Sequence, residues 1–197
     1  MFERRMAVHW CSMHHVRMTL LKGTTGNGAL DRAREKIVRT HVEAEQRGDW
    51  TAALRTFHHP RYEVTPTNEV ADGEEAVMRF YNESARAFPD MSFETRAFYH
   101  AGTTIVHEVT LRGTHCGTWR GLPPSERVVQ YAMLNLFLFE EDRLVCERMY
   151  FDLLTPMRQL GIARDPTSLT GQLGIACNHP LTIGGALVRQ AMRAFKS

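Results

Sequence analysis

The sequence has little of what marks the most easily recognised classes of protein. It contains four cysteines among 197 residues, and Cys11, Cys116, Cys146 and Cys177 form no close pair of the kind used by zinc knuckles or redox motifs. No run of about 18 apolar residues occurs, which excludes an ordinary membrane-spanning helix. Cysteines without close partners favour the reducing cytoplasm as the location.

An excess of charge of one sign is also missing. The 24 basic side chains are scattered among 22 acidic ones, which gives a formal net charge of +2. The sequence therefore has no basic patch of the kind that nucleic-acid-binding proteins show. We expect small molecules or other proteins as partners, and no nucleic acid.

The signatures of several catalytic classes are absent as well. No G-x-S-x-G elbow, phosphate-binding loop or G-x-G-x-x-G motif follows a predicted strand. His9, His14 and His15 form a cluster, but no cysteine or carboxylate accompanies them at ligand spacing, so we predict no metal site. What remains is acid/base chemistry in a pocket, without a cofactor.

Helical periodicity dominates the first half of the chain. In the stretch "ALDRAREKIVRTHVEAEQRGDW", apolar residues and His41 recur at helical spacing, and Asp49 is placed to cap a short second helix. A short strand is predicted at 62–65. A third helix is predicted before Pro89, with Asp72 and Glu75 spaced as a capping box.

After Pro89 the apolar period changes from that of a helix to two, which is typical of strands. Four strand-like runs follow, separated by turn residues: "MSFETRAFYH", "TTIVHEVTLRGTH", "VVQYAMLNLFLFE" and "RLVCERMYFD". Helices first and a meander of strands afterwards predict an α+β domain. Its cone-shaped, curved antiparallel sheet would wrap around the N-terminal helices.

This domain is expected to span residues 31–162. Residues 1–30 are predicted to form an N-terminal extension, and residues 163–197 a C-terminal extension. The last segment, "HPLTIGGALVRQAMRAFKS", has the pattern of an amphipathic helix. It would pack on its own domain or on a partner subunit, and a membrane surface is the alternative.

Polar residues share one face of two predicted strands. Arg148, Tyr150 and Asp152 alternate along the last strand, and Glu108 and Arg112 do so along the second. If this is the concave face, these groups line a pocket, because buried charges need partners or a task. The alternative is that Glu108 pairs with an arginine only to satisfy its charge.

The loop "LRGTHCGTWRGLPPSERV" is the other candidate for a binding element. It carries His115 and Trp119, and a Trp at the mouth of a cavity would offer a flat apolar surface to a ring-shaped ligand. The alternative is a simple hairpin whose Trp covers one end of the core.

Three stretches together resemble the SnoaL-like polyketide cyclase family of the nuclear transport factor 2 (NTF2) superfamily, over about residues 31–162. They are "DGEEAVMRFYNESARAFPDMSFE", "GTHCGTWRGLPPSERVV" and "FEEDRLVCERMYFD". The resemblance implies an NTF2-like (cystatin-like) cone with a deep apolar pocket, usually dimeric. It also implies cofactor-free aldol cyclisation of an aromatic polyketide ester.

The resemblance further implies that an aspartate on the last long strand is the general acid/base, and Asp152 is the similar position here. Tyr131 and Asn135 are the candidates for polar partners on the preceding strand. A pocket that excludes water raises a carboxyl pKa towards neutrality, as a base acting on an acidic C–H requires. The sequence thus predicts a lyase or isomerase-like enzyme for an apolar carbonyl compound.

Two alternatives remain open for this site. The chain could be a non-catalytic small-molecule-binding module, with Asp152 paired to Arg148 or Arg112. Asp152 could also cap the helix that follows the strand. A homodimer through the sheet is expected in either case, because the third strand is apolar on both faces.

Overall fold

The N-terminal helices pack on one face of a six-stranded sheet. A computed structural model describes residues 28–194, and the predicted extension over residues 1–30, including the His9 cluster, lies almost entirely outside the described residues. The elements are α1 Gly28–Gln46, α2 Trp50–Leu54, β1 Arg61–Val64, β2 Glu69–Asp72, α3 Glu74–Ala87, β3 Ser92–Ala101, β4 Thr104–Thr114, β5 Val128–Glu140, β6 Arg143–Phe151, α4 Leu154–Gln159, α5 Leu169–Asn178 and α6 Pro180–Ala194.

The strands lie in the order β2-β1-β6-β5-β4-β3, and the sheet curves without closing into a barrel. Strands β3 to β6 form the predicted antiparallel meander. Register shifts at 95–97 and 138–139 mark bulges, which bend strands and increase their twist. The α+β prediction is therefore confirmed.

One pairing of the sheet is parallel, which the sequence did not predict. Strand β1 pairs with β6 in parallel, and the unpredicted strand β2 pairs antiparallel with β1 at the sheet edge. Both strands have only four residues, too few for an alternating pattern to be distinguished from chance. Their pairing extends the sheet over the helices and brings β1 beside the end of the chain's last long strand.

Of the two helix caps predicted from the sequence, the structure confirms that of α2 but not that of α3. Asp49 caps α2, since its Oδ1 accepts a hydrogen bond of 3.0 Å from Ala52 N. The predicted capping box of α3 is wrong: its N-cap is Gly73, with a φ of 85° and no side-chain cap. Asp72 instead accepts hydrogen bonds from the neighbouring His59 and Arg61.

The core lies between the helices and the concave face of the sheet. Along β5, burial alternates, with Met133, Asn135 and Phe137 buried and Leu134 exposed. Residues of the same parity therefore face the helices. The buried apolar side chains include Val38, Val42, Val77, Tyr81, Ile105, Val109, Phe137 and Leu144.

Helices α5 and α6 follow the domain as a helical pair with exposed apolar side chains. No side chain of α6 is buried within the described part of the chain, and Leu181 is 90% exposed. That this segment packs on its own domain or on a partner subunit stays a prediction. Over residues 28–194, no helix combines the length and apolarity that a membrane crossing needs.

Candidate functional site

A cavity opens between the helices and the concave face of the sheet. The volume of this cavity is about 90 Å³. It has room for several waters or for a small flat ring system. Most of the wall is aromatic or methionine: Trp50, Phe80, Phe88, Met91, Phe93, Trp119, Tyr131, Met133, Met149 and Phe151. Such a wall suits a flat apolar ligand.

The cavity wall is polar where Glu45, Tyr62, Tyr81 and Glu147 line it, and His41 lies directly behind these four residues. His41 and Glu45 are four residues apart on α1, so they share one face of the helix. Glu147 comes from β6, Tyr62 from β1 and Tyr81 from α3. These five residues are here called the polar floor. Three of them, His41, Glu45 and Glu147, can carry charge or exchange protons, and the sequence patterns did not identify them as site residues.

Strand register explains why the polar floor assembles. Tyr62 and Glu147 are direct partners in the parallel pair of β1 and β6, and Phe137 is the partner of Glu147 on the other side. The ring of His41 packs edge-on against Phe137 and Phe57, with centroids 5.5 and 5.2 Å apart. Aromatic packing thus fixes the imidazole above Glu147.

Hydrogen bonds assign the protons of His41. Thr56 donates its hydroxyl proton to the carbonyl of Ala53 at 2.6 Å, so His41 Nδ1, 2.8 Å from Thr56 Oγ1, must be the donor there. Tyr62 donates to Glu45 Oε1 at 2.8 Å, so its oxygen accepts from His41 Nε2 at 2.9 Å. Both ring nitrogens donate, and His41 is an imidazolium.

The carboxyl groups keep His41 charged. Burial lowers the pKa of His41, but the neighbouring carboxyl groups of Glu45 and Glu147 raise it to about 10. Burial also raises the pKa of Glu45, yet the His41 charge and the hydrogen bonds from Tyr62 and Tyr81 bring it below its ordinary value. Glu45 is therefore the ionised partner of the imidazolium.

Glu147 differs from Glu45. Burial, and next the negative charge of Glu45, raise the pKa of Glu147 above its usual range, and the attraction of His41 only partly opposes them. Its Oε2 lies 3.2 Å from His41 Nε2 but has no hydrogen-bond partner among the described residues. Since the proton on Nε2 goes to Tyr62, this contact is electrostatic. Two carboxyl groups with pKa values pushed apart are the pattern of an acid/base site.

The same groups have the spacing of a metal site. His41, Glu45 and Glu147 each offer one ligand atom, and these atoms lie within 4.8 Å of one another. A divalent cation would fit this donor set chemically. Binding it would require His41 to lose a proton, because metal ligands are deprotonated. The absence of a metal requirement stays a prediction from the sequence.

Comparison with known proteins identifies the family. The model of the SnoaL-like polyketide cyclase family matches residues 35–160, well over half of the chain. The chain belongs to the SnoaL-like polyketide cyclase family. A comparison with curated proteins found no match.

Solved structures agree with the fold. TsrD from Streptomyces laurentii is 25% identical, with 66% of this chain and 96% of that one covered and a TM-score of 0.57. An NTF2-like protein of unknown function from Burkholderia pseudomallei is 21% identical (65% and 97% covered, TM-score 0.56). A phenazine biosynthesis-related protein from Pseudomonas aeruginosa is 16% identical (78% and 96% covered, TM-score 0.63). The NTF2-like fold is confirmed.

Three of the binding residues expected from the SnoaL-like resemblance and the loop line the cavity. Trp119, Tyr131 and Asn135 all contribute to its wall. Asn135 is buried and its Oδ1 has no hydrogen-bond partner in the described structure, so this amide can bind a polar group of a ligand. His115 lies behind the wall, where its ring packs on Phe88 at 5.4 Å.

The other predicted binding residues lie on the convex face. Arg148 donates to Glu63 at 2.5 Å, and Tyr150 is 39% exposed. Glu108 accepts a hydrogen bond from a tyrosine on β3, and Arg112 is exposed. The sequence-based prediction required this face of the sheet to be concave. These four residues therefore do not line the cavity.

The physical reason is the alternation of side chains along β4 and β6. Near the cavity, odd-numbered residues of both strands point to the helices, so the even-numbered residues that were predicted point to the convex face. On β6 the buried residues are Leu144, Cys146, Glu147 and Met149, of which Glu147 and Met149 line the cavity, and on β4 they include Val109 and Leu111. A shift of one residue turns every side chain of a strand to the opposite face. The carboxylate that faces the cavity is thus Glu147, next to the predicted Arg148.

Asp152, the expected catalytic residue of a SnoaL-like cyclase, follows the end of β6 at the protein surface. Its Oδ1 accepts a hydrogen bond of 2.9 Å from Leu154 N, and its Oδ2 one of 2.6 Å from Thr155 Oγ1. The hydroxyl of Thr155 and the amide of Leu154 hold the pKa of Asp152 below its usual value. This geometry supports the capping alternative for Asp152.

Proposed function

We propose that this SnoaL-like protein catalyses proton abstraction next to a carbonyl group of a flat, apolar substrate, as in cyclisation or isomerisation, without a cofactor. The observation that carries the proposal is the unequal carboxyl pair of the polar floor. Glu147 faces an apolar cavity with a raised pKa, while Glu45 and His41 form an ion pair beside it. We assign the acid/base role to Glu147.

In this mechanism, ionised Glu147 takes the proton from the carbon beside the carbonyl. The imidazolium of His41, 3.2 Å away, stabilises the carboxylate that must be present before the transfer. Asn135 lies on the cavity wall, and its unpaired Oδ1 can accept a hydrogen bond from the hydroxyl group of the enol form of the substrate. Glu147 then gives a proton to the product, which in D₂O is a deuteron once the protonated carboxyl has exchanged with solvent, so no net proton is consumed.

The tyrosines of the polar floor act as fixed donors. Burial raises the pKa of Tyr62 and of Tyr81 far above neutrality, so both hydroxyls keep their protons. They donate to Glu45, which keeps that carboxylate ionised and unable to take the substrate proton. The roles of base and counter-ion are therefore divided between Glu147 and Glu45.

The experiment is hydrogen exchange in 2-tetralone, a flat bicyclic ketone with acidic C1 protons. We expect the protein in D₂O with EDTA present to accelerate exchange at C1, as followed by NMR, with saturation at high ketone concentration. EDTA tests independence from metal in the same assay. Binding of the ketone without any faster exchange would contradict catalysis by proton abstraction.

That last outcome is the second candidate function, a non-catalytic binding module of the same fold. The observation that favours it is the charge balance of the polar floor. The positive charge of His41 and the negative charge of Glu45 compensate each other, so the polar floor needs no ligand or reaction to balance this pair.

The convex face of the sheet supports the proposal of a homodimer. Val128, Leu134 and Tyr150 are 44%, 43% and 39% exposed there, which is unusual for large apolar side chains on a central part of a sheet. Light scattering at tens of micromolar protein should give the mass of a dimer, and Leu134→Asp should give a monomer. A monomeric wild type would remove the proposal.

We also propose a cytoplasmic location. Cys116, Cys146 and Cys177 are all unpaired in the structure. Burial raises the pKa of Cys146 to about 11, so this thiol stays protonated. Unpaired thiols persist in the reducing cytoplasm, and cell fractionation tests this expectation.

A further inference from the structure

Arg120 brings a positive charge to the wall of the cavity. Among the described residues that line it, Arg120 carries the only positively charged side chain. It also lines the groove just outside, together with Glu69 and Glu83, and its side chain is 27% exposed. Arg120 therefore lies at the mouth of the cavity, between the interior and solvent.

The local backbone holds Arg120 in place. Trp119 and Leu122 exchange two backbone hydrogen bonds of 3.0 and 2.8 Å around it, and Arg120 takes a left-handed φ of 50°. The guanidinium carbon lies 5.7 Å from the centre of the Trp119 ring. The residue is thus presented by a tight turn and packed beside an aromatic wall.

The partner of this guanidinium in the empty cavity is a carboxylate. Arg120 donates to Glu69 of β2, whose side chain is 39% exposed. Ion pairs at this exposure contribute little to stability, so another carboxylate can replace Glu69 at small cost. Glu69 shows which chemical group the Arg120 side chain binds at this position.

The charge of Arg120 also reaches the interior. It opposes the effect of burial on the pKa of Tyr131, a residue of the cavity wall. The cavity thus has a cation at its mouth, acids at its inner end, and aromatic walls between them. This arrangement is complementary to a flat molecule with an anionic group at one end and a neutral carbonyl at the other.

We infer that the substrate is a flat aromatic carboxylate, with its carboxylate bound to Arg120 in place of Glu69. Guanidinium groups bind carboxylates through two parallel hydrogen bonds, which fix orientation as well as add affinity. The placement of the carbonyl end near Glu147 rests on the proposed function. The binding of the carboxylate by Arg120 does not.

The test uses 2-naphthoate and its uncharged amide, 2-naphthamide, as a matched pair of probes in titration calorimetry. Arg120→Gln should weaken naphthoate binding by about 10-fold or more, the usual effect of losing a charged hydrogen-bonding partner. It should leave naphthamide binding within about twofold, which also shows that the variant is folded. Equal effects on both probes, or no effect, would overturn the inference.

Two further variants sharpen the result. Glu69→Gln removes the internal competitor, so naphthoate should bind more tightly than to the wild type. Arg112→Gln removes an exposed arginine on the convex face and should change neither affinity. A naphthoate affinity that falls equally in Arg112→Gln and Arg120→Gln would reduce the effect to general charge and contradict a specific site.

The inference and the proposed function fail separately. Exchange in 2-tetralone that requires Glu147, combined with naphthoate binding that ignores Arg120, would end the inference alone. Naphthoate binding that requires Arg120, without catalysed exchange, would end only the proposed function. Glu147→Gln should keep the naphthoate affinity, since it leaves Arg120 and the mouth of the cavity unchanged.

Discussion

Glu147→Gln should slow the catalysed C1 exchange of 2-tetralone by about 10²-fold or more, the usual contribution of a positioned acid/base group. Glutamine keeps the size of the side chain but cannot take a proton from carbon. Binding of the ketone should remain, because the apolar wall is unchanged. The measurement is the exchange rate by NMR at a saturating concentration of ketone.

Asp152→Asn is the matched control for this prediction. Both changes replace one acid by its amide on or beside β6. Asp152, however, lies at the surface, where its oxygens accept hydrogen bonds from Leu154 and Thr155 of α4. We expect a wild-type exchange rate for Asp152→Asn. A loss of exchange in this variant with normal exchange in Glu147→Gln would reverse our assignment and restore Asp152 as the base.

The pH dependence gives an independent check on Glu147. Only the ionised carboxylate can accept the proton, so exchange should rise with pH as Glu147 loses its own proton. Because burial and the charge of Glu45 raise the pKa of Glu147, this rise should occur above the ordinary range for a glutamate. A rate that is flat from pH 5 to 9 would contradict the assignment.

His41→Leu should lower the free energy of unfolding by about 3–5 kcal/mol, as expected when one partner of a buried charge pair is removed. The imidazole is fully buried, and it is the cation that compensates Glu45 and lies beside Glu147. Its removal leaves the ionised carboxylate of Glu45 without a counter-charge. Urea denaturation of the wild type and the variant measures the difference.

A second variant separates charge from packing. In the His41→Leu, Glu45→Gln double variant, the acid that was ionised is neutral, so much of the lost stability should return. The wild type itself should lose the contribution of His41 as the pH rises, because the folded-state pKa is raised to about 10 from an ordinary 6.5. That contribution is complete below about 6.5 and disappears as the pH passes through about 10. A cost below about 1 kcal/mol for His41→Leu would contradict a buried ion pair.

The fold was predictable from the sequence where the elements are long. Strands β3 to β6 have nine or more residues each, so an alternating pattern stands out, and the helices before them show the helical period. Strands β1 and β2 are short, and their partners are determined by contacts made far along the chain. Local patterns carry no information on such pairings.

The site was predictable only in part, for a related reason. Tyr131 and Asn135 were found because the resemblance to SnoaL-like cyclases points to polar partners on this strand, which is otherwise largely apolar on both faces. On β6 both faces carry polar residues, Glu147 inward and Arg148 outward, so polarity does not reveal which face is concave. Glu147 tolerates burial because α1 brings His41 to it from a distant part of the sequence, and no pattern within β6 shows this.

The parallel pairing of β1 with β6 also bears on the order of folding. Glu63 and Arg148 are partners across this pair although 85 residues separate them, whereas the hairpins of the meander join residues close in sequence. Closing so long a loop costs more entropy than closing a hairpin, and contacts of high sequence separation form slowly. We therefore expect the meander to fold before β1 docks. Because Tyr62 and Glu147 meet only when β1 pairs with β6, a chain that has completed only its hairpins would have no polar floor.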